Sequence, residues 1–195
     1  MNDLQNIINF KLHPIDNFNY YVKSCRSQLK KKSILVLNSF LTEESLSNLQ
    51  REGQSLHNKA FYCSQSHNVL LAEKNIQLDD KHPCNIEVVS DKGCVPHDLI
   101  PENSRLRIIY NSALFKNFIQ SLLSVEKVYP YADTLSSINY NYYEKNQQLG
   151  WHFDNASFAI SLMIQSPISG GSFQYVVDAR NVEKNILNVQ LKDSV

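Results

Sequence analysis

His152 and Asp154 carry the clearest potential for chemistry in this sequence, within the stretch Leu149–Asp154 (LGWHFD). In a β-strand, residues two positions apart point to the same face, so the imidazole and the carboxylate are predicted to aim together. Both groups are ligands of divalent metals, and together they make two members of a 2-His-1-carboxylate set, which leaves open coordination positions. A solvated ion pair on a strand surface is the alternative, and for the two residues taken alone it is the commoner one.

The elements that position this pair are predicted to be short strands. After Tyr129 the sequence runs through apolar, β-branched and aromatic segments separated by turn residues, with about ten residues per strand. This spacing is typical of an antiparallel sandwich or jelly roll. The segments are SSINYNYYE, QLGWHFD, SFAISLMIQS and GGSFQYVVDA, with ILNVQLKDSV as a further candidate strand.

The earlier part of the chain is predicted to be helical and mixed. A helix is expected within Pro14–Lys32, and Ser33–Phe40 is expected to be a strand or another buried extended segment. Thr42 and Ser112 have the side chains of helix N-caps, and each precedes a stripe of apolar residues. The stripes are Leu46, Leu49 and Leu56 in one helix, and Leu114, Phe115, Phe118, Ile119, Leu122 and Leu123 in the other.

Composition limits the class of protein. The chain has 195 residues, 19 basic and 19 acidic, so its formal net charge is zero. A basic surplus is usual in proteins that bind a phosphate backbone, so the charge balance argues against nucleic acid as a partner and favours a small-molecule substrate. The sequence predicts no signal peptide and no membrane span. Four cysteines without C-x-x-C spacing then suggest free thiols and a cytoplasmic location.

A longer pattern surrounds the His-x-Asp pair. Asn141 and Tyr143 form N-x-Y, a turn follows, and Leu149 precedes His152 and Asp154; the strands FAISLMIQ and GGSFQYV come next. From about Leu135 to Asp178 the chain resembles the 2-oxoglutarate/Fe(II)-dependent oxygenases, notably the prolyl hydroxylases and the nucleic-acid dealkylases. With the preceding segment VPHDLIPENSRLRIIYNS, it looks closest to bacterial members that act on small, amino-acid-like substrates.

This resemblance implies a fold, two cofactors and a reaction. The fold would be α+β, with N-terminal helices packed on a double-stranded β-helix, a cupin-like jelly roll. His152 and Asp154 would be the first two Fe(II) ligands, and Asn141 and Tyr143 would bind 2-oxoglutarate. With O₂ as co-substrate, such a dioxygenase couples decarboxylation of 2-oxoglutarate to substrate hydroxylation. Halogenating relatives have a small residue in place of the carboxylate, so Asp154 favours hydroxylation.

The family pattern is incomplete in this sequence. It calls for a third ligand, a histidine downstream of His152, followed by a basic residue that pairs with 2-oxoglutarate. No histidine follows His152, and the late basic residues are Arg180, Lys184 and Lys192. The expectation is a single domain, 1–195, with a helical or mixed part (1–128) and the first half of the jelly roll (129–195), truncated before its last strands. The alternative is a catalytically inactive fragment or binding module.

Two other sets of residues are weaker candidates. His82, Cys84, Cys94 and His97 form H-x-C…C-x-x-H, which could bind zinc, although the gap between the cysteines fits zinc spacings poorly. Arg105 and Arg107 would share a face in an extended segment and could bind a substrate carboxylate. A surface ion pair is the commoner role for such arginines.

Overall fold

The computed structural model describes residues 3–82, 84–177, 180–181 and 186–187. Within these residues, all the α-helices lie in the first two thirds of the chain. None of them is both long and apolar enough to cross a membrane. They are α1 (Asp3–Ile7), α2 (Tyr21–Lys32), α3 (Glu43–Leu56), α4 (Arg105–Asn111) and α5 (Ala113–Leu123), with short 3₁₀ turns at His57–Lys59 and His97–Leu99.

Both predicted N-caps are confirmed. The Thr42 hydroxyl accepts a hydrogen bond from the Ser45 amide at 3.2 Å and so starts α3. The Ser112 hydroxyl accepts one from the Phe115 amide at 3.2 Å and starts α5. In each case a side-chain oxygen satisfies an amide that has no partner within the helix, which fixes where the helix begins.

Two predictions for the N-terminal segment need correction. The helix expected within Pro14–Lys32 begins only at Tyr21, because the preceding residues form turns, including an Asn17 amide to Pro14 carbonyl bond of 2.8 Å. The strand or buried extended segment expected at Ser33–Phe40 forms neither a strand nor a fully buried stretch. Its leucines, Leu35 and Leu37, instead pack from the side against the helical core.

The helices enclose the main hydrophobic core. Leu49 of α3 and Phe118 of α5 are at most 1% exposed, and Leu122 of α5 is buried beside them. Most of the predicted apolar stripe of each helix therefore faces this core, whereas Leu56 belongs to a second cluster. Other buried members are Leu4, Ile7, Ile8, Ile15, Val22, Cys25, Leu41, Ile109 and Phe115.

The main sheet is antiparallel and has the strand order β1-β2-β3, with β1 at Phe61–His67, β2 at Val88–Val95 and β3 at Tyr140–Tyr142. The register pairs Phe61 with Cys94 and His67 with Val88 across β1 and β2, and Cys94 with Asn141 across β2 and β3. Two of the three strands thus come from the part predicted to be helical or mixed. A second, two-residue ladder joins β4 (Arg180–Asn181) to β5 (Ile186–Leu187).

The two faces of the main sheet differ in what covers them. Val95 and Tyr140 point toward α3 and form a second core cluster with Leu56 and Ile100. Because side chains alternate along each strand, Asn141 and Ser90 point to the opposite face. We call the first the covered face and the second the open face.

The segment from 148 to 177 lies entirely within the described residues and contains no strand. The strands expected in QLGWHFD and SFAISLMIQS, and in GGSFQYVVDA as far as Val177, are therefore not formed in this structure. Leu162 and Ile164 pack against the core, whereas Phe158, Ile168 and Phe173 are exposed. Alternation favours an extended backbone, but a strand also requires a ladder of backbone bonds to a neighbour, and the described segment makes only isolated bonds of this kind, such as those of Gln148 and Phe153. Most of ILNVQLKDSV, with Lys184 and Lys192, lies outside the described residues.

Candidate functional site

His152 and Asp154 lie together, as the sequence predicted, although not in a strand. The Nε2 atom of His152 is 3.4 Å from Oδ1 of Asp154, and the two side chains are 23% and 53% exposed. The Nδ1 atom of His152 lies 2.7 Å from the Gly150 carbonyl. Since a carbonyl only accepts hydrogen bonds, Nδ1 carries the proton in the neutral ring and Nε2 keeps its lone pair. Nε2 and the carboxylate are therefore adjacent, and the carboxylate is the more exposed of the two.

The His152 segment is held at its position by β2 and by the end of β1. After the turn that follows β3, Gln148 exchanges hydrogen bonds with Asp91: the Asp91 amide donates to the Gln148 carbonyl, and the Gln148 amide donates to the Asp91 carboxylate, at 2.8 and 2.7 Å. Further along, the Phe153 amide donates to the Val69 carbonyl at 2.8 Å. These backbone contacts, rather than strand alternation, bring the two side chains together.

A second histidine, which the sequence reasoning missed, lies beside the pair. The rings of His67 and His152 are 6.2 Å apart between centroids and nearly perpendicular. Both nitrogens of His67 are already engaged, with the Asn68 carbonyl at 3.0 Å and the Ser90 hydroxyl at 2.6 Å. Among the described residues, no three His, Cys, Asp or Glu side chains are placed to hold one metal ion. The structure thus brings two candidate ligands together and places His67 next to them.

Asn141 and Tyr143, the residues expected to bind 2-oxoglutarate, lie at β3. Asn141 is exposed on the open face, where its side-chain amide donates to the Asn139 side chain at 2.8 Å. Tyr143 directly follows the strand, and partial burial raises the pKa of its hydroxyl. Ser90, which contacts the His152 segment, is four residues from Cys94 on β2, about 13 Å at the usual strand rise. The predicted metal ligands, His152 and Asp154, and the predicted 2-oxoglutarate residues, Asn141 and Tyr143, are therefore both next to the open face.

The possible zinc ligands are not gathered into a site. His82 accepts a hydrogen bond on Nδ1 from the Cys84 amide at 3.3 Å, and His97 makes a 2.6 Å bond through Nδ1 to the Ser137 hydroxyl. Cys94 lies on β2, and partial burial raises the pKa of its thiol. A raised thiol pKa disfavours the thiolate that zinc requires. These residues have local structural roles in this structure.

The two arginines do not share an extended face, because Arg105 and Arg107 lie in helix α4. Arg105 pairs with Glu44 and donates to the Ser45 hydroxyl at 3.0 Å, which ties α4 to α3. Arg107 donates to the carbonyls of His97 and Ile100, each at 2.7 Å. The prediction that they face one side of an extended segment is wrong, and the contacts favour the structural role.

Comparison with known proteins gives a family. The model of the Halogenase D family matches residues 19–193, which is most of the chain and includes the His152 segment. The chain belongs to this family. No curated protein and no solved structure gives a significant match.

Proposed function

We propose that the chain is an Fe(II)- and 2-oxoglutarate-dependent oxygenase of the Halogenase D family that hydroxylates a small, amino-acid-like substrate. The observation that carries the proposal is the adjacency of the His152 Nε2 atom and the Asp154 carboxylate. Membership of a family named for halogenation supports oxidative chemistry of the same general kind. The formal net charge of zero supports a small molecule rather than nucleic acid as the substrate.

The donor set suits an Fe(II) ion. Imidazole nitrogen and carboxylate oxygen are donors typical of Fe(II) sites, and Nε2 and Oδ1, 3.4 Å apart, are near enough that one ion could contact both. The Nδ1 proton of His152 is bound to a backbone carbonyl, an arrangement typical of metal-binding histidines. Partial exposure of Asp154 leaves an approach for the ion from solvent.

Asp154 is the residue that bears on the choice between the two reactions considered. By the resemblance, Asp154 corresponds to the position where halogenating relatives have a small residue and bind chloride, and its carboxylate argues for hydroxylation in this chain. Halogenation is the second candidate, and the family match is what favours it. The negative charge beside His152 would also oppose the binding of a halide at the same position.

The remaining roles follow from position. His152 and Asp154 would hold the metal, which, together with 2-oxoglutarate and O₂, would supply the oxidising power for C–H hydroxylation. Asn141 and Tyr143 would bind 2-oxoglutarate from the open face, through an amide and a hydroxyl. We further propose that the main sheet is part of a double-stranded β-helix, with α3 packed on its covered face.

The described residues supply two of the three expected ligands, so a binding module without catalytic activity is the alternative. Anaerobic titration of the full chain with Fe(II) and 2-oxoglutarate separates the two. A visible charge-transfer band of the chelate is expected, and His152→Ala and Asp154→Ala should each abolish it. His57→Ala, which changes an exposed histidine bonded to Tyr62, should leave it intact.

Absence of the band in the wild-type chain, or its persistence in His152→Ala, would overturn the proposal and favour the binding module. Where the band forms, exposure to O₂ with free L-amino acids and chloride tests the reaction type by product mass. A product heavier by one oxygen atom supports hydroxylation. A chlorinated product would instead support the second candidate.

A further inference from the structure

We propose that Ser90 is a positioning residue that sets the orientation of His152 and the nitrogen it presents to a metal. The inference rests on the proposed function insofar as His152 is a ligand. It adds two residues, Ser90 and His67, that the sequence pattern did not mark. Both belong to the β1–β2 hairpin, outside the stretch that contains His152 and Asp154.

The hydrogen bonds from His67 to His152 have one consistent direction. His67 Nδ1 faces the Asn68 carbonyl and carries a proton, so in the neutral ring His67 Nε2 is an acceptor. The Ser90 hydroxyl, 2.6 Å from that Nε2, therefore donates to it. The oxygen of Ser90 in turn accepts from the Gly150 amide at 2.9 Å. With both imidazoles neutral, each donor thus meets an acceptor and every bond has one direction.

The last hydrogen bond of this series involves His152, the proposed metal ligand. The Gly150 carbonyl accepts a hydrogen bond from the Nδ1–H group of His152, at 2.7 Å. Ser90 therefore holds the peptide segment whose carbonyl selects the Nδ1–H tautomer of His152. Only that tautomer leaves Nε2 unprotonated beside Asp154.

Gly150 is also held by close packing. A Cβ atom at this position would lie 2.8 Å from both the Val88 side chain and the Val89 carbonyl. The Gly150 backbone thus lies directly against β2, where the Ser90 hydroxyl reaches its amide. Other anchors, at Gln148 and Phe153, keep the segment in place when the Ser90 hydroxyl is removed. Ser90→Ala is therefore expected to loosen the orientation of His152 without unfolding the chain.

The test measures tautomers first and metal affinity second. In the metal-free full chain at about pH 8.5, where imidazole is ordinarily neutral, long-range ¹H–¹⁵N NMR should show His152 and His67 as Nδ1–H tautomers. Ser90→Ala should give His152 a mixture of tautomers and weaken Fe(II) binding about 10–100-fold. Ser90→Thr keeps the hydroxyl and should restore both readouts. Ser66→Ala, on an exposed serine of β1 whose side chain points to the other face, is the matched control.

The NMR result on the wild-type chain requires no substitution, so it tests the proposal even where a variant folds poorly. An Nε2–H tautomer at His152 in the wild type would overturn it. Unchanged tautomers and unchanged Fe(II) affinity in Ser90→Ala would also overturn it. If the wild type binds no Fe(II), the proposed function fails. A tautomer change in Ser90→Ala that Ser90→Thr reverses would still support the positioning role.

Discussion

The two faces of the main sheet are made from the same strands and have different roles. On the covered face, the hydroxyl of Tyr140 donates to Glu52 and that of Tyr142 donates to the Gly53 carbonyl, each at 2.7 Å, so the sheet is fastened to α3. On the open face, Ser90 accepts from the Gly150 amide and the His67 ring lies against that of His152, so this face contacts the His152 segment and not a helix. Neighbouring residues of one strand can thus stabilise the fold and build the candidate site.

Substitution of two nearby tyrosines should separate these roles most strongly. Tyr140 is 6% exposed and Tyr143 is 48% exposed. Tyr140→Ala removes a buried ring and its hydrogen bond to Glu52, and should lower the free energy of unfolding by about 3–5 kcal/mol. Tyr143→Ala should lower it by less than about 1 kcal/mol. Urea denaturation of both variants measures the difference.

For 2-oxoglutarate binding, substitution of Tyr143 should have the larger effect and substitution of Tyr140 the smaller one. Under the proposed function, Tyr143→Ala weakens 2-oxoglutarate binding to the Fe(II)-loaded chain, while Tyr140→Phe, which keeps the ring, binds it as the wild type does. Equal losses of stability in Tyr140→Ala and Tyr143→Ala would show that the open face is covered as well, and the comparison of the two faces would fail.

Gly150→Ala tests the open face alone. Its Cβ atom would contact the Val88 side chain and the Val89 carbonyl at 2.8 Å, and the carbonyl belongs to the backbone and cannot move aside easily. The segment should shift and carry His152 with it, for an expected loss of about tenfold in Fe(II) affinity. Isothermal titration measures this loss. A variant with wild-type affinity would show that the close approach of Gly150 to β2 has no role in placing His152.

The features that the sequence predicted correctly depend on interactions between residues close together in the chain. The N-caps Thr42 and Ser112 and the stripes they precede were predictable, because capping and helical periodicity act over a few residues. The adjacency of His152 and Asp154 was also predicted, though its cause lies in contacts with β2 and Val69 rather than in a strand.

Other features depend on pairing between distant segments and could not be read locally. The neighbourhood of His67 and Ser90 follows from the register of β1 against β2, residues that are 23 apart in the chain. Arg105 was read as extended, but Ser104 caps helix α4 by accepting from the Leu106 amide at 3.2 Å. In residues 148–177 the alternation of apolar and polar residues predicted strands, but a local pattern does not show whether another segment pairs with them.

A smaller effect on the covered face should appear at high pH. The pKa of the Tyr142 hydroxyl is raised from its ordinary value of 10.0 to about 12, mainly because the group is partly buried. Between these values the unfolded chain releases the proton while the folded chain retains it, so the free energy of unfolding falls as pH rises. Tyr142→Phe should make this fall less steep between pH 10 and 12, as measured by urea denaturation at each pH. Tyr20→Phe, at a site 80% exposed, should keep the wild-type slope. An unchanged slope in Tyr142→Phe would mean that the covered face does not shield this hydroxyl from water.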